Sequence, residues 1–229
     1  MIVLTPWLDH LVAHLPVARE GRDAEGAHQI RVAGRRLIVW LELSGYGVLR
    51  DDLRALVRGA GRVRDLEVLL QETLPKSFEH WLRARLAEAR AAFVPMLDAP
   101  RLNGLLTALA VLPSLEDDAA RRRLAHYGRV VKKRAAAWTS SGSLDALHAL
   151  RRALRRLRYA REWQRLDTAD LKSWQETLGR VSDLRFTLDY VNAYMAASGH
   201  ALPRYRRERE HALEQAIIQA KVAWSYREL

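Results

Sequence analysis

Two stretches decide the fold: HQIRVAGRRL at residues 28–37 and HALRRALRRL at residues 148–157. Laid over one another at an offset of 120 residues, they coincide at His28 and His148, Arg31 and Arg151, Arg35 and Arg155, Arg36 and Arg156, and Leu37 and Leu157. At about 100° per residue, His28, Arg31 and Arg35 share one stripe with Arg36 on its flank, while Ile30, Leu37, Trp40 and Leu41 lie opposite. In the second copy His148, Arg151, Arg152, Arg155, Arg156, Arg158 and Tyr159 form a broader stripe, against Leu150, Leu154 and Leu157 on the other side. Each stretch therefore reads as an amphipathic helix that is half core and half cation.

The repeat extends outward. GRVRDLEVLL from Gly61 matches GRVSDLRFTL from Gly179 at an offset of 118, so a helix pair is duplicated. In that second helix Leu53, Leu56, Ala60, Val63, Leu66 and Leu70 correspond to Leu171, Trp174, Leu178, Val181, Leu184 and Leu188, an apolar seam for packing against neighbours. A helix is expected before each His-bearing helix, at about 6–18 and about 116–138. Another is expected after each pair, at about 76–94 and about 203–225. The chain then divides into two four-helix repeats, 1–112 and 113–229, related by a pseudo-twofold axis that turns equivalent helices toward each other. Only 12 glycines and 7 prolines interrupt the 229 residues, and no sustained alternation suggests strands, so the fold class is all-α. The breaks leave roughly eight helices and one short extra piece. Thr5 before Pro6, Asp23, Ser114 and Ser143 are the expected N-caps.

Lys and Arg number 38 against 27 Asp and Glu, a net charge of +11, which favours a polyanionic partner without choosing among nucleic acid, acidic lipid and polyphosphate. Cysteine is absent, which removes disulfides and thiolate metal sites. The opening MIVLTPWLDH lacks the basic start and long apolar run of a secretory signal, and the apolar stretch at 105–112 is too short for a bilayer. A cytoplasmic protein without a membrane span is expected.

Close like charges on one helix face destabilise the free protein, and an anion relieves that repulsion. Solvation alone would not require the same His-Arg-Arg-Arg spacing twice, so the stripes read as binding surfaces. Arginine suits phosphate because its planar fork donates two parallel hydrogen bonds and stays charged. Arg58, Arg62 and Asp65 lie along one line of the next helix with Gly61 between them, and Gly179, Arg180 and Asp183 repeat part of it. Asp65 and Asp183 are assigned to orienting arginines of the neighbouring helix, and the glycines to close helix approach. No carboxylate or second histidine lies one turn from His28 or His148, which argues against a metal there. His10 and His14 share a face without a third partner. No metal, cofactor or catalytic residue is assigned, because phosphoryl-transfer chemistry needs metal-holding carboxylates or a Gly-rich phosphate loop, and neither lies near the repeats.

The patterns HxxRVxxRRL at 28–37, GxVRDLxV at 61–68, LHxLRxxxRRLRY at 147–159 and LGxxxD at 178–183 together resemble the CHAD family, the conserved-histidine α-helical domain. The resemblance spans nearly the whole chain. It implies two antiparallel four-helix bundles with a basic groove that binds inorganic polyphosphate, and in bacteria an association with polyphosphate granules and their proteins. The polyphosphate-binding set is then His28, Arg31, Arg35, Arg36, Arg62, Arg64, Lys132, Lys133, His148, Arg151, Arg155, Arg156, Arg158, Tyr159 and Arg180, with Arg134 extending the track. This sequence departs from the family pattern at Ala60, Glu67 and Ser182, which stand where leucine, aspartate and arginine are usual, so the two halves are expected to contribute unequally. The ExExK signature of the triphosphatase domain that accompanies many relatives is missing, Glu208-Arg209-Glu210 coming nearest. A nucleic-acid-binding helical protein is the alternative. It fits less well, since the cationic faces offer only Tyr159 for base stacking.

Overall fold

The computed structural model describes residues 1–225. Among these residues there are nine α-helices, one 3-10 turn and no strand, only a single backbone bridge between Ile2 and Leu115. The helices gather into two compact units, Met1–Arg122 and Arg123–Leu229.

The first unit holds α1 (Thr5–Glu20), α2 (Ala24–Ser44), the turn Gly47–Leu49, α3 (Arg50–Leu69), α4 (Lys76–Asp98) and the short α5 (Pro100–Ala110). Sequential packing of α1 on α2, α2 on α3 and α3 on α4 is closed by contact of α1 with α4. Burial supplies the reason. Leu11, Ile30, Leu37, Trp40, Leu53, Phe78, Leu82 and Phe93 are all at most 2% exposed, and removing such side chains from water is the main force holding helices of this length together. Two glycines set how closely the helices cross. A Cβ on Gly26 would stand 2.4 Å from the backbone nitrogen of Ala18, and one on Gly34 would stand 2.4 Å from Val57 Cγ2, so α2 meets α1 and α3 at bare backbone. The Trp40 indole donates to the Ile2 carbonyl at 3.2 Å, pinning the N-terminal segment over α2.

The second unit takes in most of α6 (Asp117–Ser141), within which the division falls, and α7 (Leu144–Trp163), α8 (Ala169–Ser198) and α9 (Pro203–Ser225). Helix α7 packs on α8, and α8 on α9. Trp224 of α9 meets Trp138 of α6 and Trp174 of α8 at ring-centroid distances of 5.6 and 4.5 Å, tying three helices at one aromatic node.

The His-bearing helices begin alike. Asp23 accepts from Glu25 N at 2.8 Å and Ser143 accepts from Ala146 N at 3.2 Å, each relieving an orphan amide of the first turn. The other two expected caps differ. Thr5 lies inside the first turn of α1, whose N-cap is Leu4 with no side-chain bond, because Pro6 needs no donor partner there. Ser114 donates to Met1 Sδ at 3.1 Å, in the segment whose Leu115 bridges to Ile2. No described helix is long and apolar enough to cross a membrane.

Candidate functional site

In the first unit the site is built where α2 lies against α3. Arg31 extends from α2 across Gly61 of α3 and forms an ion pair with Asp65. A Cβ at Gly61 would be 4.0 Å from Arg31 Nε and near nothing else. Gly61 is therefore a floor for the guanidinium and not the point of closest helix approach, which falls at Gly34 against Val57. The second unit repeats the arrangement: a Cβ at Gly179 of α8 would be 4.0 Å from Arg151 Nη2 and near nothing else. An arginine laid across a glycine of the next helix is thus a property of both copies.

Glu67 lies one turn beyond Arg64 on α3, with its side chain 6% exposed. It accepts from Arg90 Nη2 of α4 at 3.0 Å and has Arg64 Nη1 at 4.0 Å. Arg64 thus faces a buried carboxylate on one side and His28 on the other. The His28 imidazole is held below its ordinary pKa by partial burial, then by Arg64, with Arg31 and Arg35 adding to the effect and Glu25 opposing it. His148 is lowered in the same way, by partial burial first, then by Arg152, Arg151 and Arg155, against Asp145. Fixed positive charge around both imidazoles disfavours the added proton, and a bound anion would offset that effect.

The remaining residues of the set are distributed unevenly. Arg36 stacks its guanidinium 4.1 Å from the Trp7 ring centroid, a partner on α1 that the repeat of α2 alone did not disclose. Arg35 is half-buried, while Arg58 and Arg62 are exposed on α3. In α7, Arg158 Nε sits 3.1 Å from Glu162 and its guanidinium lies 4.9 Å from the Tyr159 ring. Tyr159 itself is 5% exposed, so its ring is covered and is not presented to solvent on the cationic stripe where the helical projection placed it. The helical projection fixes only a direction around the axis of α7, and whether that direction is covered depends on what packs against it, which the 100° step does not show. Arg155 is half-buried, Arg152 and Arg156 are exposed, and Lys132 and Lys133 stand exposed on α6 and Arg180 and Asp183 on α8.

His10 and His14 are accounted for by packing. His10 Nε2 donates to Gln29 Oε1 at 2.9 Å and His14 Nδ1 donates to the His10 carbonyl at 2.8 Å. Among the described residues no group of three or more His, Cys, Asp or Glu is placed to hold a metal ion.

Sequence reasoning missed Trp7, Arg90 and the buried role of Glu67. Glu67 carried a signal, as the only carboxylate on the apolar side of α3, between Val63 and Leu70.

The fold and its site define an all-helical protein with a duplicated face of arginines around a histidine. The chain belongs to the CHAD domain family, whose model matches residues 3–188. The structure is similar to that of the CHAD domain from the plant Ricinus communis, with 24% identity, a TM-score of 0.72, and coverage of 96% of this chain and 84% of that one. It is also similar to PptA from Streptomyces chartreusis, with 19% identity, a TM-score of 0.75, and coverage of 97% and 96%. At these identities the likeness is one of fold. No curated protein matches the chain.

Proposed function

We propose that the chain binds inorganic polyphosphate without turning it over, through the arginine-rich faces of α2–α3 and α7–α8, and that this binding brings it to polyphosphate granules. One observation carries the reading: Arg31 over Gly61 and Arg151 over Gly179 are the same construction, built twice from sequence that has otherwise diverged. Membership of the CHAD family supports it, since polyphosphate is the ligand associated with that domain. So does the chemistry, because linear polyphosphate offers one negative charge or more per unit and matches rows of planar forks better than base edges would. A long polyanion that engages both basic faces, as the groove expected from the resemblance would allow, gains avidity over a short one through effective concentration.

The test is direct titration with polyphosphates of defined length. Arg31→Ala with Arg35→Ala, and Arg151→Ala with Arg155→Ala, are each expected to weaken binding while the helical spectrum is unchanged. Affinity should fall steeply with salt, because bound cations are released as phosphates are neutralised. Salt-independent affinity would refute the reading. Failure of polyphosphate to displace RNA or DNA at equal phosphate concentration would assign the face to nucleic acid, and orthophosphate release with magnesium or manganese would make the protein an enzyme.

A further inference from the structure

The line that buries α1 runs through Leu8, Leu11, Leu15 and Ala18. Along its border lie Trp7, His10 and His14, half-buried and spaced so that they share one side of the helix. Each touches the next. The His14 imidazole donates to the His10 carbonyl at 2.8 Å, and the two rings stand 4.4 Å apart. His10 meets the Trp7 ring at a steep angle, centroid to centroid 5.2 Å, and donates to Gln29 Oε1 of α2 at 2.9 Å. Trp7 in turn has the Arg36 guanidinium over its ring face, 4.1 Å from the centroid. Gln29 and Arg36 are two turns apart on α2 and look out from the same side of it, so His10 and Trp7 of α1 span the interval between them. The indole that carries Arg36 is thus itself braced from α2.

A long arginine side chain loses rotamer freedom when a phosphate fixes it, and a contact that fixes it beforehand strengthens binding by reducing that loss. Arg36 Nη1 also reaches back toward the Val32 carbonyl at 3.4 Å, a second restraint on its pose. The chemistry of the brace matters as much as its presence. Toward α3, Arg31 is held by the Asp65 carboxylate, whose negative charge offsets the cation and repels an anion. Toward α1, Arg36 is held by a neutral ring, which attracts the guanidinium through its quadrupole. That brace cancels none of the cation's charge.

From this arrangement we propose that Trp7 is a positioning residue of the first basic face, fixing Arg36 for phosphate without lowering the positive charge of that face. The inference rests on the polyphosphate reading of the α2–α3 face and adds to it a residue from α1, outside the repeated motifs.

The experiment is a double-mutant cycle in polyphosphate affinity at low salt, comparing the parent, Trp7→Leu, Arg36→Ala and the two combined, with a melting temperature for each. Trp7→Leu removes no charge, yet it is expected to weaken binding about three- to tenfold, the range of a half-buried cation–π contact. In the Arg36→Ala background the same change should cost nothing, because no guanidinium is left to place. Trp7→Phe keeps a ring face with a weaker quadrupole and should recover part of the loss. If Trp7→Leu does not fold, Trp7→Phe carries the cycle, with a smaller loss in the parent and again none in Arg36→Ala. Equal losses in both backgrounds make Trp7 a structural residue and overturn the proposal, as does parental affinity in folded Trp7→Leu. A parent that binds no polyphosphate fails the reading of the face along with Trp7, whereas a parent that binds without coupling between the two positions fails Trp7 alone.

Discussion

Replacing Glu67 by alanine should weaken the fold and strengthen the ligand face. The carboxylate is 6% exposed and has two guanidinium partners, Arg90 at 3.0 Å with 36% exposure and Arg64 at 4.0 Å with 18%. Removing one partner of a buried pair typically costs about 3–5 kcal/mol, because the other charge is left uncompensated. Both arginines here retain some contact with water, which reduces the figure, while the void left by the deleted side chain adds to it; about 2–4 kcal/mol is the expected loss. For a chain of this size that lowers the melting temperature by about 5–15 °C.

The same substitution raises the charge beside His28 by one. At a phosphate about 8 Å away in water the added attraction is about 0.5 kcal/mol, or roughly twofold in affinity, and salt screens it. Glu67→Gln separates the two effects: it keeps an acceptor for Arg90 and the side-chain volume, so it should lose about half as much stability yet show the same gain in affinity. Thermal unfolding followed by circular dichroism, with polyphosphate titration at low salt, reads both. If Glu67→Ala melts within about a degree of the parent, or if both variants bind polyphosphate more weakly while still folded, then Glu67 is not a counterweight to the site's arginines.

Gly26→Ala should destabilise, since its Cβ would fall 2.4 Å from Ala18 N and force α1 back from the core, at a cost of about 1–3 kcal/mol; Gly61→Ala and Gly179→Ala, with nothing nearer than 4.0 Å, should be neutral or gain up to about 1 kcal/mol, and a melting series in which all three behave alike contradicts this. The lowered pKa values of His28 and His148 place a stability term fully present above the ordinary value of 6.5 and lost as pH falls through the interval below it, because there the unfolded chain takes up protons that the folded one refuses. Under the proposed function, polyphosphate bound beside them would raise both pKa values, so its affinity should climb as pH falls through that same interval; a profile that stays flat in the parent, or persists in His28→Asn with His148→Asn, removes the histidines from the site. Arg62→Ala, on an exposed side chain of α3, should lower the salt dependence of polyphosphate binding without moving the melting temperature, and an unchanged salt slope would exclude Arg62 from ligand contact.

The helices were legible because periodicity is a local property. The apolar line through Ile30, Leu37 and Leu41 and its copy through Leu150, Leu154 and Leu157 needs only the 3.6-residue turn to be read. The candidate arginines were singled out on a different ground: duplication filters out surface residues that drift freely. What could not be read was which arginine stands opposite which carboxylate. Arg31 has Asp65, 34 positions away, and Arg90 has Glu67, 23 positions away, and both pairings depend on how two helices rotate about their axes. Tyr159 shows the same limit from the other side. A 100° projection places it at the edge of the cationic stripe, and only tertiary packing, which leaves it 5% exposed, decides that its ring is covered.

Where the residues of the two halves agree, at His28 and His148, Arg31 and Arg151, and Gly61 and Gly179, the same construction stands in the same place. Where they disagree, the changes are coupled and not scattered: His10 and Gln29 form one contact in the first unit, and both are replaced by smaller apolar residues, Val130 and Ala149, in the second. Both side chains are half-buried and Gln29 also donates to Glu25 at 2.8 Å, so water and that carboxylate take up whichever partner is left, and the contact can be lost at small cost.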